Sequence, residues 1–395
     1  MTAIMKGVRV VEVSEHAFLP AAGALLSDWG ADVIKIEPVE RGDAGRGIGT
    51  TGTADVNLLF ENANRGKRSL ALDLGSEEGR EVLYRLVATA DVFMTNKVAR
   101  VREKLKIEVE HIRSHNPDIV YVRGVGQGER GPEANRGGYD LLTYWHRTGV
   151  SSMVAGPDGP PFLPAPGFGD FTGAMFIAGG TMGALYHRER TGEATVVDAS
   201  LLATGMWAMS GAIAAATQDP AWPWPPEPPN PLSRTYDTRE GGRIALCCLQ
   251  AGYYWPLLTR HIGRDDLADD PRFCDYASIM ANHAPAIAAL SEEFLKRSRN
   301  EWCKVLADFP GQWTVVQQAR DLVNDPQVAP NGYLQQCETA EGVPFQLVTA
   351  PLQYDGEPAP TSRAPLFNEH GDAILAELGL DWDSVVDLKI KGVVG

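Results

Sequence analysis

The amino-acid sequence predicts an α/β protein in which a large domain with a parallel sheet is joined to a smaller α+β domain. Three observations support this fold class. Strand and helix patterns alternate through the first third of the chain, and a proline-rich run interrupts the chain at residues 220–231. A hairpin pattern and several helical patterns then follow this run, as is typical of a separate α+β unit.

The large domain is predicted from the alternation of its elements. Strands are expected at residues 8–13, 32–37, 69–74, 91–95 and 118–122, with helices at 21–29 and 76–88 and a short helix before the last strand. Gly30 ends the first helix, and Ser76 with two acidic residues opens the second. Because a strand–helix–strand unit makes a right-handed crossover, the strands should form a parallel, Rossmann-like sheet.

Domain boundaries are predicted at the proline-rich run. We assign residues 1–220 to the large domain, rejoined by 330–395, residues 221–232 to a stiff linker, and 233–329 to the small domain. The small domain should contain a hairpin over residues 236–249 and helices near 252–262, 284–297 and 299–308. A strand near 346–348 and a helix at 370–378 belong to the returning segment.

Composition excludes several classes of protein. The net charge is −15, with 44% hydrophobic and 22% charged residues, as expected of a globular protein without a nucleic-acid or anionic-membrane surface. The five cysteines form no C-x-x-C pair, so we expect no disulfide framework, no zinc site and a reducing compartment. No apolar run reaches membrane-spanning length and the N-terminus lacks a secretory pattern, which predicts a cytoplasmic protein.

Three common catalytic or cofactor motifs are weak or missing. Residues 126–131 read G-x-G-x-x-G, but a proline follows at once and the first strand-to-helix turn has no glycine, so a dinucleotide cofactor is not expected. His111 and His115 have helical spacing but lack the glutamate of a zinc protease, and no metal is expected. The chain contains no G-x-S-x-G sequence, so a serine hydrolase is not supported.

Asp170 is the strongest candidate for chemistry. It follows Gly169 and precedes a helix rich in small residues, so a large ligand could reach its carboxylate. One interpretation is a nucleophile toward an activated acyl group. The other is a helix N-cap, in which the first-turn amides would lower the pKa of the carboxyl and keep it ionised. The two interpretations are compatible.

Basic residues near predicted strand ends suggest a phosphate site. Arg65, Lys67 and Arg68 precede one strand, Lys35 lies in another, and Lys104 follows a third. The carboxyl ends of parallel strands face a common crevice, where phosphates are often bound. Each of these side chains could instead be a solvated surface charge.

Six ordered segments carry a family resemblance. They are residues 30–38, 64–74, 116–117, 138–140, 169–185 and 368–379. With these segments the chain resembles the family III CoA-transferases, a group that includes formyl-CoA transferase and carnitine CoA-transferases and shares its fold with α-methylacyl-CoA racemase.

The resemblance implies an activity and an assembly. Asp170 matches the family's catalytic aspartate, which forms acyl anhydride and aspartyl-CoA thioester intermediates while CoA moves from an acyl-CoA to a carboxylic acid. CoA is then a substrate, and no permanently bound cofactor is expected. The resemblance also implies a homodimer of two interlocked rings, with the active site between domains.

Further residues are assigned by the same resemblance. Asp140 matches an acidic residue of the transferases and would line the same pocket, although a structural role is equally open. CoA contacts are expected from Asn96 and Tyr139 together with the basic residues Lys35, Arg65, Lys67, Arg68 and Lys104.

Two alternatives remain within this fold. The chain could be an acyl-CoA racemase or epimerase, or a non-catalytic acyl-CoA-binding protein. Tyr139 disfavours racemisation, because the racemases place a histidine base there and a phenol with a pKa near 10 is a poor base at neutral pH. The segment Asn96–Arg100 also departs from the family's usual Asn-Phe-Arg-Pro-Gly.

Overall fold

A six-stranded parallel sheet forms the centre of the fold in a computed structural model that describes residues 3–48, 56–155, 164–219 and 229–395. The strands are β1 (Arg9–Val13), β2 (Asp32–Glu37), β3 (Arg68–Ala71), β4 (Val92–Thr95), β5 (Val120–Val125) and β6 (Val196–Ser200). They lie in the order β3-β2-β1-β4-β5-β6, and every adjacent pair is parallel. The predicted Rossmann-like α/β class is confirmed.

Nine helices accompany the six strands in the described residues before 220. They are α1 (Phe18–Asp28), α2 (Leu58–Asn64), α3 (Glu77–Val87), α4 (Ala99–Leu105), α5 (Val109–Arg113), α6 (Val150–Ala155), α7 (Phe168–Thr191), α8 (Leu201–Ala208) and α9 (Ser210–Gln218). A π-helical segment spans Asp140–Arg147 and a 3₁₀ turn spans Ala44–Gly47.

The chain divides into two compact units, Met1–Trp222 with Pro326–Gly395, and Pro223–Asp325. The second unit has an antiparallel sheet of β7 (Ser233–Asp237), β8 (Arg243–Cys247) and β9 (Trp313–Val315). Its α-helices are α10 (Ala251–His261), α11 (Asp265–Ala268), α12 (Tyr276–Ala281), α13 (His283–Phe294) and α14 (Arg299–Val305). Most of the predicted linker, residues 221–228, lies outside the described residues.

The returning segment adds an antiparallel pair and two helices to the first unit. These are β10 (Leu334–Glu338), β11 (Pro344–Val348), α15 (Gly371–Glu377) and α16 (Trp382–Ile390). The sequence predicted the second strand and the first helix of this segment, but not β10 or α16. Asn368 fastens the segment to the sheet edge, because its backbone N–H donates to Ser69 Oγ (3.0 Å) and its Oδ1 accepts from Ala71 N–H (2.9 Å).

Two apolar cores cover the two faces of the central sheet. Alternate residues of β1 point to opposite faces, so that Val10 joins the core with α1 and α7, while Val11 joins the core with α3, α15 and α16. Residues buried on both faces are typical of a parallel strand covered by helices. The sheet is therefore a rigid support for groups placed at its carboxyl edge.

Candidate active site

The candidate site lies where the strand order reverses. Strands β1 and β4 are neighbours, although β2 and β3 follow β1 in the chain on its other side. Ligands of open α/β sheets bind at such a switch point, beyond the carboxyl ends of the strands. A cavity of about 390 Å³ is found there, and we call it the Asp170 cavity because it is lined by Asp170 and by Glu15, His16, Asn96, Gly126 and Tyr139, among others.

Asp170 is the third residue of α7 and is not its cap. The N-cap is Gly167, which lies in the left-handed region with φ 82° and has no side chain that could cap the helix. Within the described part of the chain, no group donates a hydrogen bond to the Asp170 carboxylate. Burial raises the pKa of Asp170 to about 7, and the negative charge of Asp140 contributes to the rise. The expected lowering of this pKa by the helix amides is therefore wrong.

Asp140, and not Asp170, accepts hydrogen bonds from the backbone amides at the start of α7. Its Oδ1 accepts a hydrogen bond from Gly169 N–H at 3.0 Å, and the amides of Gly167 and Phe168 also stabilise its charge. Burial outweighs these amides and raises the pKa of Asp140 to about 6. Asp140 is buried and does not line the Asp170 cavity, so the pocket-lining position expected for it is not observed. Its contacts are those of a structural cap.

Gly169 permits the close contact between these elements. A Cβ at this position would overlap the ring of Tyr144 and Oδ1 of Asp140. The side-chain-free position thus lets the π-helical segment pack directly against the first turn of α7. Consequently the glycine next to Asp170 positions the carboxylate, in addition to leaving space for a ligand.

Asn96 and Tyr139 both line the Asp170 cavity, but only one is free to contact a ligand. Asn96 Oδ1 accepts from Glu15 N–H (3.2 Å) and its Nδ2 donates to the Glu15 carbonyl (2.6 Å), so its amide joins the ends of β1 and β4. Tyr139 is 57% exposed, and its ring contacts His16 edge-on.

Lys35 and Lys67 are placed where a CoA phosphate cannot reach them. Both side chains are fully buried and pair with Glu12, and Lys35 also pairs with Asp43. Lys67 Nζ has two further acceptors, the Pro20 carbonyl and Asn64 Oδ1. Removing one partner from such a buried ion pair is strongly destabilising, so both lysines are structural residues and neither is placed to contact CoA.

Arg65 and Arg68 are also engaged in ion pairs. Arg65 is buried and binds both carboxylate oxygens of Asp28, with Nε donating to Oδ1 at 3.1 Å and Nη2 to Oδ2 at 2.7 Å. Arg68 binds Asp32 and Glu377, which ties β2 and β3 to α15. Neither residue lines the Asp170 cavity, and the ion pairs of both hold parts of the fold together.

A second cavity adjoins the first and carries the accessible basic groups. This strand-end cavity, of about 420 Å³, shares Glu15, Lys97 and Val101 with the Asp170 cavity and is also lined by Arg41 and Lys104. Glu15 pairs with both Lys97 and Arg41. Lys104 is exposed and has no ion pair with any described residue.

Lys104 was expected from the sequence, whereas Arg41 and Lys97 were not. A usable signal was present, because Arg41 follows the end of β2 and Lys97 follows Asn96 at the end of β4. Among the described residues, no group of three or more His, Cys, Asp or Glu side chains could hold a metal ion.

Comparison with known proteins identifies the family. The pattern of CoA-transferase family III matches residues 5–371. The chain belongs to CoA-transferase family III. It is similar to the (R)-2-hydroxy-4-methylpentanoate CoA-transferase of Clostridioides difficile, with 31% identity over 397 residues and 99% of each chain covered. It is also 28% identical to the cinnamoyl-CoA:phenyllactate CoA-transferase of Clostridium sporogenes, covering 98% of this chain and 96% of the relative.

Solved structures agree with this assignment. A CAIB/BAIF family protein from Brucella suis matches with a TM-score of 0.83 and 29% identity, covering 96% of this chain and all of the other. The Rv3272 protein of Mycobacterium tuberculosis matches with a TM-score of 0.81 and 27% identity, covering 93% and 98%. The enzyme is thus a family III CoA-transferase, whose substrates are CoA thioesters. No helix in the described residues of this transferase is long and apolar enough to cross a membrane.

Proposed function

We propose that this transferase moves CoA from an acyl-CoA thioester to a carboxylic acid through covalent intermediates on Asp170. The observation that supports the proposal is an unpartnered carboxylate on the wall of the Asp170 cavity, at the switch point of the sheet. Because no described group donates a hydrogen bond to it, its lone pairs are available to attack. A pKa raised to about 7 also makes the carboxylate more basic than ordinary aspartate, which favours nucleophilic attack.

The first half-reaction loads CoA onto the enzyme. An Asp170 oxygen bonds to the thioester carbonyl carbon, the carbon–sulfur bond breaks, and CoA leaves as a thiolate with the electron pair. The thiolate then attacks the Asp170 carbonyl of the resulting anhydride. This step releases the donor acid as its carboxylate and leaves CoA as a thioester on Asp170.

The second half-reaction reverses these steps with another acid. The acceptor carboxylate attacks the aspartyl-CoA thioester and expels the thiolate, which in turn attacks the acceptor's carbonyl. The products are a new acyl-CoA and free Asp170. One thioester is exchanged for another, so the atoms and electrons balance without ATP, a metal or a redox partner. Water must be kept from the anhydride throughout.

Accessible cations provide the proposed site for the CoA phosphates. Arg41 and Lys104, both exposed, line the strand-end cavity, which shares Glu15, Lys97 and Val101 with the Asp170 cavity. Ammonium and guanidinium groups bind phosphate oxygens through charge-assisted hydrogen bonds. In this arrangement the nucleotide end occupies the strand-end cavity and the thioester end reaches Asp170, past Tyr139.

We propose that two copies form the interlocked homodimer expected of the family. The support is an apolar surface on three consecutive helices. Helix α9 has no buried residue in the single chain, and α7 and α8 carry exposed Phe176, Tyr186, Met206 and Trp207. A large exposed apolar surface marks a protein interface.

Five free thiols support a reducing, cytoplasmic location.

The proposal is tested with Asp170→Asn and Asp170→Ala. We expect each to reduce exchange of label between acyl-CoA and free acid by about 10³-fold or more, because no other group accepts the acyl unit. The alanine variant guards against slow deamidation of asparagine to aspartate. Asp198→Asn, at a half-exposed carboxylate, is the matched control and should retain activity.

A second measurement examines the intermediate directly. Wild-type enzyme is incubated with acyl-CoA, quenched and digested, and the peptide containing Asp170 is examined by mass spectrometry for CoA or for a hydroxylamine-trapped acyl adduct. Full exchange by the alanine variant, or an unmodified peptide in an active preparation, would remove Asp170 as the nucleophile. Incorporation of solvent deuterium at the α-carbon without an acceptor acid would instead indicate a racemase.

A further inference from the structure

His16 is an unassigned polar side chain in the Asp170 cavity. It follows β1 and lines the cavity together with Asp170 and Tyr139. Its φ of 69° lies in the left-handed region, which non-glycine residues rarely adopt and in which histidine and asparagine are enriched. The backbone is held there by Asp43, whose Oδ1 accepts from His16 N–H at 2.9 Å. A strained residue held at a cavity wall is a candidate for function.

The surroundings of the ring indicate which nitrogen carries the proton. Nδ1 is buried and has no hydrogen-bond partner, and the ring contacts Tyr139 edge-on with centroids 5.3 Å apart. A proton on Nδ1 would leave a buried N–H group without an acceptor, which is unfavourable. We therefore assign the proton to Nε2, which also has no hydrogen bond to a described residue and is available as a donor.

The other nitrogen-bearing side chains that line this cavity have partners. Both polar atoms of Asn96 bind the backbone of Glu15, and Lys97 pairs with the Glu15 carboxylate. Of the side-chain donors lining the cavity, His16 and Tyr139 are left without a protein acceptor among the described residues. Only His16 stands on a backbone fixed by a buried carboxylate.

We propose that His16 donates a hydrogen bond from Nε2 to the carbonyl oxygen of the acyl group that Asp170 attacks, an inference that rests on the proposed transferase chemistry. When the Asp170 oxygen bonds to the carbonyl carbon, the π electron pair of the carbonyl group moves onto the carbonyl oxygen. When the carbon–sulfur bond breaks, the pair returns and re-forms the carbonyl. His16 keeps its proton throughout, and only the hydrogen bond strengthens as charge develops.

This role predicts an effect on turnover more than on substrate binding. A donor whose hydrogen bond strengthens in the transition state raises kcat, whereas equal binding of ground and transition states changes only KM. His16 would therefore act on every acyl-CoA that the enzyme accepts.

The test compares His16→Gly with His16→Asn. Both residues tolerate a positive φ and both keep the backbone N–H that Asp43 binds, so the loop conformation is retained. Glycine removes the donor and should lower kcat about 10²- to 10³-fold with little change in KM. Asparagine supplies an N–H donor and should stay within about tenfold of wild type. Added imidazole should partly rescue the glycine variant, and His283→Asn, an exposed histidine of α13, is the control.

The outcomes separate this inference from the proposed function. An unchanged kcat in His16→Gly overturns the role of His16, whatever the fate of Asp170. Equal losses in the glycine and asparagine variants, with no imidazole rescue, also overturn it and assign His16 a structural role. Formation of the Asp170 adduct is followed in the same preparations. If the wild-type enzyme turns over and forms no adduct, the transferase mechanism itself fails; if only the rate of adduct formation falls in His16→Gly, both proposals stand.

Discussion

Two carboxylates 30 residues apart in sequence have different surroundings at the same helix end. Asp140 accepts amide hydrogen bonds, which are the bonds that an N-terminal aspartate would ordinarily take. Asp170 is left without such bonds, next to a second negative charge. The helix start is therefore stabilised by one carboxylate, and the other retains free lone pairs for chemistry.

This arrangement predicts the pH dependence of the reaction. Attack requires ionised Asp170, whose pKa is raised to about 7 by burial and by Asp140. We expect kcat/KM to fall about tenfold per pH unit below pH 7, because the ionised fraction of Asp170 falls by that factor there. In Asp140→Asn the like charge is removed while an amide oxygen can still accept from Gly169 N–H. The acid limb should then move to lower pH, and rate profiles between pH 5 and 9 measure the shift.

The control for this prediction is Asp198→Asn, which removes a carboxylate paired with Arg123 on the protein surface. Its profile should overlay that of the wild type. If Asp140→Asn keeps the wild-type midpoint while remaining active, Asp140 does not influence the titration of Asp170.

At the scale of elements, α7 connects the core to the site. Its small residues allow close packing, as at Gly173, where a Cβ would overlap the ring of Phe18 in α1. The first turn of the same helix is packed just as closely at Gly169, against Asp140 and Tyr144. The position of Asp170 thus depends on close side-chain contacts at these glycines, which a single added methyl group would disturb.

Gly169→Ala should therefore inactivate the enzyme and lower its melting temperature. The added methyl group overlaps Tyr144 and Asp140 Oδ1, so the helix start must shift and Asp170 with it. A loss of about 1–3 kcal/mol in unfolding free energy is expected from overpacking. The matched change is Gly183→Ala in the same helix, where a Cβ meets nothing within 4 Å. It should keep activity and leave stability unchanged or slightly raised. Wild-type activity in Gly169→Ala would contradict the packing argument.

The sequence predicted the sheet better than it predicted the contacts of the site. Strand and helix periodicity is local, so β1, β2 and α3 lie close to their predicted ranges. The burial of Lys35 and Lys67 depends on Glu12, which is 23 and 55 residues away in sequence. Their local sequence resembles that of an exposed phosphate-binding cluster, and only the fold brings the carboxylate to them.

The cap on α7 was unpredictable for the same reason. The bond from Gly169 N–H to Asp140 spans 29 residues and crosses segment 156–163, which lies outside the described residues. A local pattern assigns the capping role to the nearest acidic side chain, which is Asp170. Its assignment as the nucleophile stays a prediction until the adduct is sought.

At the scale of the whole molecule, the end of the chain completes the sheet edge. Leu72 forms an antiparallel bridge with Val394, and Asp73 N–H donates to the Val393 carbonyl at 2.9 Å. Ile374 and Leu375 enter the core shared with α3. The returning segment is therefore part of the first unit, while α7 and α8 carry large apolar side chains that stay exposed and α9 has no buried residue.

That uncovered surface predicts an obligate dimer. The native mass should be twice that of the chain, and the melting temperature should rise with protein concentration, because association stabilises the folded state. Trp207 is 69% exposed on α8, and Trp207→Asp should lower the melting temperature and shift the mass toward the monomer. Trp382→Asp is the matched control, since Trp382 is 68% exposed on α16, away from these helices in sequence. Equal behaviour of the two variants in native mass measurements would show that α7–α9 do not form the interface.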